Sequence, residues 1–227
     1  MQLIIGNKNY SSWSMRPWVL LKAFGIPFEE RKLRFDFAPG SAFYQALAVY
    51  TPTAKVPVLV EDDGFAVWDT LAITEHIAER HPELAIWPHD ARQRSRARSL
   101  CAEMHAGFST LRNLCPMNIE AALPEIGAKH QAESSQLLAD LARIDAIWSG
   151  ELARSGGPFL FGEFSAADAY FAPVAMRVRT YALPLSEASR AYVERLVAAP
   201  GVRDWIADAL AEQDFLDFEE PYRSGRG

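Results

Sequence analysis

A chain of 227 residues, 49% hydrophobic and 23% charged, is long enough for one large or two small domains and apolar enough to bury a core. Its formal net charge of −6 excludes a dedicated nucleic-acid binder, which needs a dominant basic surface. No apolar run approaches the roughly 20 residues of a membrane span. The two cysteines, Cys101 and Cys115, make neither a C-x-x-C pair nor a disulfide framework, so a reducing cytoplasm is the expected setting.

The chain enters a strand at Gln2–Ile5 with no basic leader before it. Met15–Phe24 reads as a helix closed by Gly25, Phe28–Leu33 as a second strand and Ser41–Ala48 as a short helix. Val58–Glu61 and Phe65–Trp68 flank Asp62-Asp63-Gly64, a hairpin signal, and Thr70–Arg80 is a helix stopped at His81-Pro82. This β-α-β-α-β-β-α order predicts a small mixed sheet with helices packed on it.

From about residue 91 only helical periodicity persists: Leu100, Met104, Phe108, Leu111 and Cys115, then Leu137, Leu141, Ile144 and Trp148. Phe171, Val174 and Val178 form a third set, and Val202, Ile206 and Leu210 a fourth. Gly150, Gly156-Gly157-Pro158, Pro184 and Pro200-Gly201 are read as punctuation between helices. Arg92, Arg94, Arg96 and Arg98 step around a helix rather than lining one stripe, so they read as a solvated face. The predicted organisation is residues 1–81 as an α+β domain, 82–90 as linker and 91–227 as an all-helical domain, with a loosely attached tail after about Asp217.

Three short motifs carry chemistry. In Thr51–Leu59, Val56 offers backbone N–H and C=O groups beside Pro57, a residue able to adopt a cis bond. Asp69-Thr70 heads a helix, where free N–H groups attract anions. An extended peptide with a free amine and a carboxylate suits both, and glutathione has all three features. The third motif is Tyr10-Ser11-Ser12-Trp13-Ser14-Met15-Arg16, at the first strand-to-helix turn. Ser14 is the expected helix cap, and Ser11 or Ser12 can donate a hydrogen bond to a ligand thiolate. Lowering a thiol from its usual pKa of roughly 8.5 by about 2 units takes ~2.7 kcal/mol, within reach of one charge-assisted bond plus the helix end.

Rival chemistries find little footing. There is no G-x-S-x-G elbow, and His76, His81, His89, His105 and His130 show no triad context. No H-x-x-x-H or C-x-x-C spacing suggests a metal site, and none is expected.

Taken in order, the serine turn, the Val-Pro step and the Asp-Thr helix head resemble the cytosolic glutathione S-transferases over essentially the whole chain. The Ser11–Arg16 turn is similar to the S-S-C-x-x-R turn of the zeta class, the maleylacetoacetate isomerase-like enzymes, with Trp13 in place of the cysteine. Gly162–Asp168 looks like the family's capping box, with Ser165 and Asp168 as its partners. The resemblance implies a thioredoxin-like domain followed by an all-α domain, glutathione as co-substrate without a metal, and a homodimer. It implies glutathione contacts from Lys55, Val56, Asp69 and Thr70, and a thiolate stabilised by Ser11, slightly favoured, or Ser12.

A hydrophobic electrophile would then lie between the domains, near Met104, His105, Phe108, Arg112 and Asn113. Arg177 and Arg179 are offset from the zeta arginine that receives a substrate carboxylate, so they read first as surface residues, with a substrate contact left open. The expected activity is conjugation or isomerisation of that electrophile, with no nucleic-acid or membrane partner. Two alternatives stay open: a non-catalytic binding or scaffold protein of the same fold, and a glutathione-dependent reductase. The reductase chemistry needs a cysteine at the turn, which is absent.

Overall fold

In the computed structural model, which describes residues 1–225, four strands form one sheet. They are β1 (Gln2–Ile5), β2 (Glu29–Lys32), β3 (Val58–Val60) and β4 (Ala66–Trp68), in the order β2-β1-β3-β4. β1 and β2 run parallel, with Gln2 opposite Glu29 and Ile5 opposite Lys32, and β3 is antiparallel to both β1 and β4. A parallel pair needs a crossover, and helix α1 (Ser12–Ala23) provides it. The β3–β4 turn is made by Asp62-Asp63-Gly64, with Gly64 at φ 89° and the Asp63 carboxylate accepting from Phe65 N–H at 2.9 Å.

Alternation along β1 and β3 sends side chains into two cores. Leu3, Ile5 and Leu59 join the main core, which runs on into the helical half of the chain. Ile4, Val58 and Val60 face a smaller cluster with Phe35, Phe43, Leu47 and Leu216. Both faces are therefore covered, on one side by helix α2 (Ala42–Ala48) and on the other by α1 and α3 (Thr70–Arg80).

Seven helices follow: α4 (Ala91–Ala106), α5 (Ser109–Leu114), α6 (Pro124–Glu133), α7 (Ser135–Ser155), α8 (Ala166–Tyr181), α9 (Glu187–Ala198) and α10 (Pro200–Glu212). α8 is the centre of this half, buried over all but one of its residues and packed on α1, α4, α6 and α9. Its start is held by Asp168, which accepts from the Ser165 N–H at 2.9 Å and the Ser165 hydroxyl at 3.0 Å. α10 docks closely on α1 through Gly201, where an added Cβ would lie 2.7 Å from the Val19 carbonyl oxygen. No helix among the described residues is long and apolar enough to cross a membrane.

Several expectations are corrected. α1 begins at Ser12, three residues early by the sequence reading, so Ser14 is a buried interior residue and not a cap. Its hydroxyl instead accepts from Gly6 N–H at 3.1 Å and from Ser11 at 2.7 Å. Gly150 lies inside α7 and punctuates nothing, because the apolar face of that helix outweighs one poor helix former. The tail is not loose: Leu216 and Glu220 are buried, and Tyr10 donates its hydroxyl to Glu220 at 2.8 Å. Arg34 adds a two-pronged contact to Asp214 at 2.8 and 3.0 Å.

Candidate active site

The N-terminus of α1, the loop before β3 and the head of α3 open onto one cavity of about 1170 Å³, closed from the helical side by α4, α5 and α8. Of the residues singled out in the sequence, Ser11, Ser12, Lys55, Val56, Asp69, Thr70, His105, Arg112 and Asn113 all line it. Met104 and Phe108 do not. Met104 is buried in the main core, and Phe108 turns inward at the kink between α4 and α5, where its φ is 56°.

The loop before β3 holds the Val56–Pro57 peptide bond cis. Val58 onward is committed to pairing with β1 and β4, whereas no backbone bond occupies the Val56 N–H and C=O among those described. These are the groups an extended peptide would use as an added strand. Lys55 is exposed beside them and makes no ion pair among the described residues.

At the head of α3, Asp69 has φ 74° and ψ 134°, a conformation a non-glycine residue rarely adopts, and its side chain accepts from Leu71 N–H at 2.8 Å. The following Thr70 is buried, with its hydroxyl 3.5 Å from His105 Nδ1, while His105 Nε2 lies 3.4 Å from Asp69. Burial pulls the His105 imidazole below its ordinary value against the opposing pull of Asp69, with Arg16 and Arg112 acting in the same direction as burial. A neutral His105 therefore braces the head of α3 from α4.

The serine turn is densely tied. Ser11 donates to Ser14, and Arg177 on α8 reaches Ser12 Oγ with a long 3.5 Å contact. Trp13 meets two guanidiniums, that of Arg16 4.3 Å and that of Arg112 4.7 Å from its ring centroid. Arg112 donates to the carbonyls of Met104, His105 and Gly107, which end α4. Arg177 donates to the Cys115 and Pro173 carbonyls. Neither arginine has a carboxylate partner among the ion pairs described, although burial pulls both below their ordinary values.

Arg177 corrects an expectation: it is buried and lines the cavity, whereas Arg179, two residues on, is exposed as predicted. The sequence showed neither the aromatic wall of Phe35, Phe37, Phe43 and Tyr44 nor Glu219, which the tail delivers to the cavity. A signal for the wall exists in the spacing of those aromatics between β2 and α2, where ring centroids lie 5.2 to 5.7 Å apart. Glu219 has no such signal, since only the folding-back of the tail brings it there. Both cysteines are fully buried away from the cavity, with burial pushing the Cys115 thiol up to about 11 and the Cys101 thiol well above its ordinary value.

Two family models match the chain: the glutathione S-transferase N-terminal domain over residues 10–80 and the C-terminal domain over residues 119–208. Among curated relatives, maleylacetoacetate isomerase of Rattus norvegicus is 26% identical over 178 residues, covering 77% of this chain and 76% of its own. A probable maleylacetoacetate isomerase of Caenorhabditis elegans is 31% identical over 103 residues, 45% of each chain. In fold, the chain is similar to a glutathione transferase homolog from Burkholderia with bound glutathione, at TM-score 0.69 and 23% identity, covering 92% of this chain and 97% of that one. It is also similar to a zeta-class bacterial maleyl pyruvate isomerase, at TM-score 0.63 and 20% identity, covering 99% and 100%. With a thioredoxin-like sheet domain, an all-helical half and both family models in sequence, the chain belongs to the glutathione S-transferase family and is a glutathione transferase.

Proposed function

We propose that this enzyme ionises bound glutathione with the Ser12 hydroxyl and directs the thiolate at an electrophile carrying at least one carboxylate. Glutathione lies with its cysteinyl backbone paired to Val56, its γ-glutamyl end at Asp69 and Thr70, and a carboxylate near Lys55. The observation carrying the anionic substrate is the pair Arg112 and Arg177, cations in the cavity wall that hydrogen-bond to carbonyls yet meet no carboxylate among the ion pairs described. Buried cations are ordinarily paired, and a ligand carboxylate would complete them. The proposal adds a carboxylate to the small hydrophobic electrophile expected from sequence.

Ser12 is preferred to Ser11 on hydrogen bonding. The Ser11 proton is used on Ser14, whereas the Ser12 oxygen faces Arg177 and keeps its own proton to donate. Ser12 is also the first residue of α1, where helix N–H groups favour an anion.

The names of the curated relatives suggest cis–trans isomerisation of a maleyl group. In that reaction the thiolate sulfur adds to an alkene carbon, and the alkene pair moves through the conjugated system onto a carbonyl oxygen. Rotation about the resulting single bond follows. The pair then returns, the carbon–sulfur bond breaks, and the trans alkene leaves with the thiolate regenerated. Ser12 releases and recaptures the sulfur charge, while Arg112 and Arg177 hold the carboxylates against the rotation. With an electrophile bearing a leaving group, the same thiolate gives conjugation. A homodimer of the family type is the proposed assembly, to be checked by light scattering.

The test compares glutathione-dependent isomerisation of maleylacetoacetate with conjugation of a neutral aryl halide, in wild type and Arg177→Met. The reading predicts a KM for the anionic substrate raised at least about tenfold, the scale of one lost charge-assisted bond, while the neutral substrate loses only what the weakened Ser12 contact costs both substrates alike. Equal losses on both substrates would refute the carboxylate role. Absence of glutathione turnover with either would return the protein to the non-catalytic binding class.

A further inference from the structure

The charged group most at odds with its surroundings is Arg16. It is 1% exposed, and its Nε and Nη1 atoms have no hydrogen-bond partner. No carboxylate pairs with it among the ion pairs described. Its guanidinium instead rests on aromatic faces, 4.3 Å from the Trp13 ring centroid and 5.0 Å from that of Tyr170. Such ring contacts offset only part of what leaving a buried ion unpaired costs. Burial, followed by the charges of Arg112 and Arg177 acting against Tyr170, pulls Arg16 down to about 9, which still leaves it protonated at neutral pH.

Its place on α1 gives this charge a use. Ser12 and Arg16 are one helical turn apart on the same face, and side chains on a helix lean toward its N-terminus. The guanidinium is therefore directed toward the end of α1 that carries Ser12, buried against the Trp13 and Tyr170 rings. Arg16 does not line the cavity, so a ligand does not touch it. Arg112 packs on Trp13 as well, and Arg177 reaches Ser12 from α8. Three guanidiniums without carboxylate partners among the ion pairs described thus touch the serine turn, two on the Trp13 ring and one at Ser12.

We infer that Arg16 is a positioning residue for the thiolate: directed toward the α1 N-terminus, its unpaired charge stabilises the ionised sulfur through Ser12 and the helix end, without contacting the ligand. This rests on the proposed glutathione-thiolate chemistry. Trp13 is the spacer of the device, a flat face that holds the charge in place, keeps water from it and offers it no counter-ion. The charge is retained at a cost to the fold, as a strained or destabilising element at a functional site often is.

The inference separates cleanly from a structural role, because the two predict opposite effects on stability. An apolar side chain of similar length should satisfy the fold at least as well as an unpaired ion. The experiment measures three quantities on wild type, Arg16→Met and Arg16→Gln. These are the pH titration of the ultraviolet thiolate band of bound glutathione, the affinity for S-methylglutathione, which has no thiol proton, and the melting temperature. We expect the bound thiol pKa to rise by about one unit in both variants, the lower end of the shift an opposite charge produces. S-methylglutathione affinity should be kept within about twofold, and the Met variant should melt at or above the wild-type temperature.

A Met variant that fails to fold, or melts lower with an unmoved thiol pKa, would overturn the inference and make Arg16 a structural residue. A wild type lacking the thiolate band would instead remove the serine-thiolate reading on which the inference stands. That outcome is visible before any variant is examined.

Discussion

Replacing Asp168 by alanine tests the anchor that sets the position of α8, and through it Arg177. The carboxylate is fully buried, and four donors converge on it. Oδ2 accepts from the Ser165 N–H and hydroxyl at 2.9 and 3.0 Å. Oδ1 accepts from Leu160 N–H at 3.2 Å and from the Tyr192 hydroxyl at 2.8 Å. Asp168→Ala leaves two backbone N–H groups and the Tyr192 hydroxyl buried without their acceptor. At about 1–3 kcal/mol for each stranded group, the gross loss is about 3–9 kcal/mol. Burial pushes the Asp168 carboxyl up to about 6 against the pull of those bonds, so removing the charge returns part of that loss. A net destabilisation of about 4 kcal/mol follows, a large part of the roughly 5–15 kcal/mol a domain possesses. Ser165→Ala removes one hydroxyl and should cost only about 1 kcal/mol. Urea denaturation of the three proteins measures both, and thiolate ionisation in folded Ser165→Ala should match wild type. An Asp168→Ala midpoint giving less than about 1 kcal/mol of loss would refute the argument that these four contacts hold the helix start.

Three further variants test the cavity and the C-terminal tail. Burial, then the charge of Glu220, pushes Glu219 up to about 6, so KM for an anionic electrophile should climb as pH rises through about 6 and flatten in Glu219→Gln. Because its folded pKa is raised, the stability linked to Glu219 is present at pH below the ordinary glutamate value and is lost as pH rises through about 6. Denaturation midpoints of wild type and Glu219→Gln should therefore converge at low pH and diverge across that window. Tyr10→Phe removes the hydroxyl that donates to Glu220 and accepts from Leu216 N–H, which should cost about 1.5–3 kcal/mol and speed proteolysis after Gln213. Thr70→Val deletes the hydroxyl between the α3 head and His105, and should weaken glutathione binding about tenfold while leaving kcat for bound complex nearly unchanged.

What the sequence made legible was local. The Asp62-Asp63-Gly64 hairpin, the helix starting at Thr70 and the Ser165–Asp168 box all depend on neighbours in the chain, and all appear where their residues put them. The Val-Pro step and the Asp-Thr head converge because the β3–β4 hairpin fixes the distance between them. Tertiary packing decided the rest. α1 could begin at Ser12 because Gly6 and Ser11 find the Ser14 hydroxyl inside the fold. Arg177 is one of two nearby arginines in a helical pattern, and only the packing of α8 on α1 turns it inward while Arg179 faces solvent. Met104 belongs to the apolar periodicity of α4, and one step around the helix separates it from the cavity-facing His105. The tail was misjudged because its anchor, Tyr10, lies at the opposite end of the chain.

The ultraviolet difference spectrum of bound glutathione across pH, on wild type, Ser12→Ala and Ser11→Ala, tests the central claim most directly. The account predicts a thiolate band near neutral pH in wild type, shifted upward by about 2 units in Ser12→Ala and by much less in Ser11→Ala. A band that persists unmoved in Ser12→Ala, or one abolished by Ser11→Ala alone, would contradict it.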